Sequence, residues 1–413
     1  MDGARTRGHP GALAAIGSMI RGGGPGAVLL VGPAGVGKTT LAIDLAAGLL
    51  CTYADPAARP CGACRSCRLV AHGGHPDLHL LGPEGAGRQV VIGGPGSKVR
   101  GVRDLIAELA LLPVEGGARV AVIESAHRMN EDAQAALLKT LEEPPTGATI
   151  VLCADAEEPL LPTIRSRSAR IRLGPVGVRD IEAILAAVAA ADPPVAARAA
   201  RIAGGRPGVA LAWVARPDAL RERDAIGRTL LDLIHARPAD RLAGVRALAS
   251  TASALVGISD GRALDLRPDD AQEGATAPAG KGKRSRGKAT AAVADATDAD
   301  ASPADDDDGD AAGPARAPAA ERRRAAEALI ALWTDLARDV ALCQRGLDRS
   351  VRDVGFLDEV RGAATDLDAD AVHAFIDRLG WAAVLVAGNA SPELVLDDLA
   401  LAWPRPVTGT RAA

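Results

Sequence analysis

Residues 27–39, AVLLVGPAGVGKT, decide how this chain is to be read. Five apolar residues, enough for a buried strand, run into GPAGVGKT, and the stretch from Thr40 to Leu50 reads as a helix. Strand, glycine-rich loop and helix in that order are what a phosphate-binding loop needs. Loop N–H groups wrap the phosphates, and glycine lets the main chain approach with no Cβ in the way. The helix N-terminus adds its positive end. Lys38 supplies a mobile cation and the Thr39 hydroxyl a Mg²⁺ ligand. The stretch therefore predicts a nucleotide cradle, with ATP and Mg²⁺, built from Gly32, Pro33, Ala34, Gly35, Val36, Gly37, Lys38, Thr39 and Thr40.

Outward from the loop, strand-like runs alternate with helical patterns as far as residue 174. The candidates are Ala27–Val31, Leu78–Leu81, Arg119–Glu124, Thr149–Ala154 and Arg170–Leu173. Their unbroken apolar character predicts an α/β domain over 1–174, a parallel sheet covered by helices on both faces. After Gly174-Pro175 the strand signals stop. A small helical lid is expected over 175–215, with a turn at Gly204-Gly205-Arg206-Pro207-Gly208. An all-helical collar is expected over 216–257 and 320–405. There Leu329, Trp333, Leu336, Val340 and Cys343 fall on one helical stripe, and further helices are read at Ala371–Leu379 and Glu393–Ala402. Between them, residues 260–319 are Ala, Gly, Pro and Asp, with a basic cluster from Lys281 to Lys288 and an acidic run at 305–310. Such a composition predicts a disordered insertion serving as a solvated spacer.

Composition adds bounds. A chain of 413 residues exceeds one core. A net charge of −4 gives no overall pull toward nucleic acid. No apolar run approaches a membrane span and the N-terminus has no hydrophobic signal core, so a cytoplasmic protein with no membrane partner is expected. That compartment disfavours disulfides.

Cys51, Cys61, Cys64 and Cys67 are spaced C-x9-C-x2-C-x2-C. Two-residue spacers let successive thiolates converge on one ion, and the distant fourth closes a tetrahedron, so these residues are read as a structural Zn²⁺ module at 51–67. An iron–sulfur cluster or four uncoordinated thiols remain the alternatives. His72, His75 and His79 lie nearby and are read as surface residues.

The third candidate strand ends in Glu124-Ser125. Hydrolytic P-loop enzymes carry there an acidic Mg²⁺ ligand followed by a Glu that polarises the attacking water. Glu124 suits the first role; Ser125 cannot be a general base at neutral pH. Asn130 should cap a helix from Glu131 to about Glu143, stopped by Pro144-Pro145.

GPAGVGKT, the four-cysteine knob, HPDLHLL (75–81), MNEDAQAALLKTLEEPP (129–145) and LLPTIRSRS (160–168) together resemble the bacterial clamp-loader AAA+ subunits of DNA polymerase III. The likeness covers most of 10–215 and, more weakly, NASPELVLDDLAL (389–401), which looks like that family's collar helix. The family has a gamma/tau motor branch and a delta-prime branch with little or no hydrolysis. Ser125 in place of the motor's Glu, Gly208 where the motor has an Arg on the nucleotide, and the absence of tau's extra domains all point to delta-prime. The resemblance implies a DNA-replication subunit of a DNA-directed DNA polymerase holoenzyme. It would work in a hetero-oligomer with gamma/tau and delta subunits, acting on the sliding clamp and primer–template DNA. The family's Ser-Arg-Cys becomes Ser166-Arg167-Ser168, and the resemblance carries the trans-acting arginine role to Arg167. A gamma/tau-type motor hydrolysing its own ATP is the competing expectation, and a stand-alone zinc-dependent ATP switch a weaker third.

Overall fold

A computed structural model describes residues 3–83, 89–115, 117–258 and 318–406. Five strands, β1 (Ala27–Val31), β2 (Leu78–Leu81), β3 (Arg119–Ile123), β4 (Ala148–Ala154) and β5 (Ala169–Arg172), form one sheet in the order β2-β3-β4-β1-β5. Every neighbouring pair is parallel. Successive strand residues point to opposite faces, and both faces are apolar. Val28, Leu30, Val120, Val122 and Val151 pack under α1 (Pro10–Arg21) and α2 (Lys38–Leu50), with Val70 of α3 (Arg65–Ala71) beside them. Ala27, Leu29, Ala121, Ile123, Ile150 and Leu152 face α4 (Val102–Leu109), α5 (Glu131–Glu142) and α6 (Pro162–Arg167). That two-sided burial is why the strands read as unbroken apolar runs. The α5 boundaries follow local chemistry: Asn130 accepts the Ala133 N–H at 2.9 Å, and the prolines at 144 and 145 follow its end.

Beyond β5 the described chain is helical: α7 (Val178–Ala189), α8 (Pro193–Ile202), α9 (Pro207–Ala215), α10 (Pro217–Asp232), α11 (Pro238–Thr251), α12 (Ala319–Gln344), α13 (Leu357–Asp366), α14 (Ala369–Ala387) and α15 (Pro392–Ala402). Five of these open on proline, whose missing N–H costs nothing in a first turn. Buried residues from Val176 to Trp403 form one continuous core. Leu329, Trp333, Leu336 and Val340 are fully buried in it, and Cys343 packs at its margin. Trp333, Phe375 and Trp403 cluster with ring centroids 4.7–5.5 Å apart, and the Trp403 indole N–H donates to Leu230 O at 2.9 Å. Arg241 is fully buried among main-chain carbonyls, with Nη2 donating to Ile234 O at 2.6 Å and Nη1 to Trp403 O. The expected disordered insertion over 260–319, with its basic cluster, lies outside the described residues as far as 317, but its last residue is helical, since Ala319 opens α12. Among the described residues, no helix is long and apolar enough to cross a membrane.

Candidate nucleotide and metal sites

Parallel pairing of β1 with β4 puts Val31 opposite Ala154, so the loop leaving β1 and the residues following β4 emerge side by side. The Gly32 N–H donates to Ala154 O at 3.2 Å. Gly32 has to be glycine, because a Cβ there would collide with Leu173 O. Gly37, with φ +112°, turns the chain into α2. Two segments outside the loop hold its carbonyls. His9 Nε2 lies 3.0 Å from Val36 O, and the Gly208 N–H at the start of α9 donates to Gly35 O at 2.8 Å. The glycine turn of 204–208 thus sits on the glycine loop after β1. At position 208 it offers a peptide N–H rather than a side-chain cation.

Lys38 is buried and its ammonium donates to Gly32 O at 2.6 Å, Pro33 O at 2.8 Å and Asp155 Oδ1 at 2.6 Å. Asp155 also has its N–H accepted by His127 Nδ1 at 3.1 Å, and His127 Nε2 stands 3.4 Å from Asp155 Oδ2. Glu124 directly follows β3, its N–H on Leu81 O at 2.8 Å, and Ser125 comes next in a left-handed turn with φ +53°. Cys153 is wholly buried beneath this edge, its side chain hydrogen-bonded to Thr39. Burial, followed by the charge of Glu124, pushes its thiol up to about 12. Cradle, Lys38, Thr39, Glu124 and Ser125 therefore share one end of the sheet, where ligands of open parallel sheets bind. Asp155, His127 and His9 escaped the sequence reading. The available signal was Asp155's place directly after a strand, but strand order was needed to bring it to Lys38.

Arg167 closes α6 away from that edge. Its Nη2 is 2.8 Å from Glu142 Oε1 at the end of α5, and Nη1 donates to Thr163 O at 3.4 Å. The guanidinium is a little over one third exposed. Ser166 in this helix and Ser168 just past its end bond back to Thr163 O and Ile164 O.

Cys51, Cys61, Cys64 and Cys67 converge, with all four sulfurs within 4.8 Å of one another. Cys51 Sγ is 3.8 Å from Cys64 Sγ, and Cys61 Sγ is 4.0 Å from Cys67 Sγ. A tetrahedral ion with Zn–S bonds of ~2.3 Å would set its sulfurs about 3.8 Å apart, so the four residues fit that ion. Main-chain N–H groups of Cys64 and Cys67 point at the sulfurs of Cys61 and Cys64 at 3.4 and 3.3 Å. Burial raises the Cys64 thiol, but the N–H groups of Cys67 and Thr52 more than offset it and bring it down to about 6. Main-chain hydrogen bonds from Cys64 and Ala63 lower Cys61, while burial raises Cys51 and Cys67. The neighbouring histidines correct one expectation: His72 is exposed, but His75 is buried. His75 Nδ1 accepts the Asp77 N–H at 3.1 Å, and its Nε2 stands 3.4 Å from Glu115. His79 is half-buried against Glu108 at 2.9 Å, and burial lowers its pKa. His79 thus packs against Glu108 of α4, and His75 against Glu115 of the stretch that leads into β3.

A five-stranded parallel sheet in this order, with a glycine loop and Lys38 after its β1 strand, defines an AAA+-like α/β domain followed by an all-helical region. Residues 17–177 match the family described as DNA polymerase III, delta subunit. The chain is 43% identical over 141 residues to DNA polymerase III subunit delta' of Pseudomonas aeruginosa, covering 34% of this chain and 40% of that one. It is 33% identical over 207 residues to the Escherichia coli delta' subunit, covering 49% and 60%. Subunit tau of Salmonella typhimurium is 36% identical over 155 residues, covering 38% and 22%. Over its N-terminal region the chain resembles the clamp-loader AAA+ subunits on the delta-prime side, with gamma/tau as near relatives. The matches span between two fifths and three fifths of these delta' relatives.

Proposed function

We propose that this protein is the delta-prime subunit of a DNA polymerase III clamp loader. It binds ATP and Mg²⁺ at the loop of Gly32 to Thr40, with Glu124 facing the metal. It lends Arg167 to the nucleotide of a neighbouring subunit, so that the sliding clamp is placed on primed DNA. Residues 1–174 form the nucleotide domain, 175–215 its lid, and 216–257 with 320–405 the collar through which it joins gamma/tau and delta. Zn²⁺ on the four cysteines stiffens the knob at 51–67, and the assembly works in the cytoplasm.

One observation carries the reading. An intact loop with Lys38 shares its sheet edge with Glu124-Ser125, a metal-side carboxylate followed by a hydroxyl that cannot activate water at neutral pH. Binding is thereby separated from splitting. Catalysis by this chain then lies in Arg167, since a planar guanidinium brought to a neighbour's γ-phosphate stabilises charge that develops in phosphoryl transfer. To act there, Arg167 must exchange Glu142 for the phosphate, and its partial exposure allows that.

The test is an ATPase assay of the purified chain alone and reconstituted with gamma/tau and delta. The chain alone should turn over negligibly. An in-trans arginine is worth ~10³–10⁵ where it is the sole finger, so Arg167→Ala should lower partner ATPase at the adjoining site at least about tenfold. Normal partner turnover in the Arg167→Ala complex would refute the finger role. Self-sufficient turnover abolished by Lys38→Ala would establish the gamma/tau-type motor instead.

A further inference from the structure

An ammonium has three N–H donors, and all three of Lys38's are in use: on Gly32 O, Pro33 O and Asp155 Oδ1. A phosphate oxygen bonding Lys38 must displace one of these acceptors, and Asp155 is the charged one. Its position is determined from two sides. β1 lies next to β4 and brings the ammonium to it. β3, the other neighbour of β4, is followed by the turn from which His127 accepts the Asp155 N–H and sets Nε2 beside Oδ2. On the lid side, position 208 is a glycine whose N–H is committed to Gly35 O.

In a phosphate loop the main-chain N–H groups cradle the inner phosphates and the lysine reaches the β- and γ-phosphates, whereas the ends of the neighbouring strands lie toward the terminal one. A nucleoside diphosphate would keep the loop contacts and draw on Lys38 through its β-phosphate. A third phosphate, also on Lys38, would bring further negative charge against the Asp155 carboxylate. We infer that Asp155 is a specificity-determining residue that makes this cradle favour a nucleoside diphosphate over a triphosphate. The inference rests on the nucleotide-site reading and deepens it: the resting ligand is the diphosphate, and the triphosphate is held only where other subunits add positive charge.

Isothermal titration of the full chain with MgADP and MgATP, for the natural chain and for Asp155→Asn, Asp155→Glu and Lys38→Ala, tests it, with thermal melts confirming folding. At ångström-scale separations a single carboxylate is worth about tenfold in affinity after screening, so MgADP should bind the natural chain about tenfold more tightly than MgATP. Asp155→Asn should erase most of that ratio by tightening MgATP, and Asp155→Glu should keep it. If Asp155→Asn does not fold, Asp155→Ser carries the same expectation. An unchanged ADP-to-ATP ratio in the uncharged variant, with Lys38→Ala still abolishing binding, would overturn the role of Asp155 and leave the nucleotide site standing. If neither nucleotide binds any folded variant, or Lys38→Ala binds normally, the nucleotide site itself falls and Asp155's role with it.

Discussion

Removing the carboxylate of Asp353 tests whether the helical region is held as the structure indicates. Asp353 is 1% exposed and accepts from Arg198 Nε at 3.0 Å and Nη2 at 3.1 Å, from Arg223 Nη1, and from the Gly355 N–H at 3.0 Å. Arg198, on α8, also holds Asp224 of α10, whereas Arg223, on α10, is otherwise stacked on Trp213 and Phe356 at 5.9 and 5.7 Å. Asp353→Ala therefore leaves Arg223 buried without a carboxylate. Breaking a buried pair from one side costs ~3–5 kcal/mol. Because Arg198 keeps Asp224 and Arg223 keeps its rings, the low end applies, about 3 kcal/mol. For a cooperative unit of ~150–250 residues that lowers Tm by roughly 6–12 °C. Urea and thermal unfolding followed by circular dichroism would measure it. Asp353→Leu combined with Arg223→Met should recover all but about 1 kcal/mol, since an apolar replacement of both partners is often neutral. Burial pushes the Asp353 carboxyl up, but Arg198 and Arg223 outweigh it and hold it below its ordinary value. Its contribution is then complete above about pH 4 and disappears as pH falls through the depressed folded value, so the gap between natural chain and variant should close in acid. A loss under about 1 kcal/mol at neutral pH, or a gap that widens in acid, would refute the reasoning.

Two further outcomes are expected. Metal analysis of the purified chain should find about one zinc per molecule, and Cys64→Ser should lose it together with thermal stability, because a closed four-thiolate site contributes folding energy directly; iron, or no metal in the natural chain, would sink the zinc reading. Trp381 is 70% exposed on α14 beside exposed Val384 and Leu385, so Trp381→Ser should change stability by no more than about 0.5 kcal/mol while weakening association with gamma/tau and delta in gel filtration; undiminished assembly would remove this face from the interface.

Local features were legible because their causes are local. Ala27–Val31 followed by GPAGVGKT announces strand, loop and helix through apolar burial, glycine freedom and an orphaned helix N-terminus, all within a few residues of each other. Asn130 and the two prolines bound α5 for the same reason. The cysteine spacing already implied convergence, and the four sulfurs converge. His75 was misjudged because burial depends on what lies overhead, and Glu115, which stands against it, comes from a stretch 40 residues further along the chain.

Sequence alone thus determined the glycine loop between strand and helix, the five strands nearly to the residue, the Asn130 cap and the grouping of the thiols. Each of these follows from periodicity or short-range stereochemistry. Tertiary structure alone decided that β4 lies beside β1, so that Asp155 meets Lys38 across a gap of 117 residues, that the turn at Gly208 rests on Gly35, and that Asp353 gathers Arg198 and Arg223. Strand order and helix docking are set by how whole faces share one core, and that information is spread over the chain rather than written at any position.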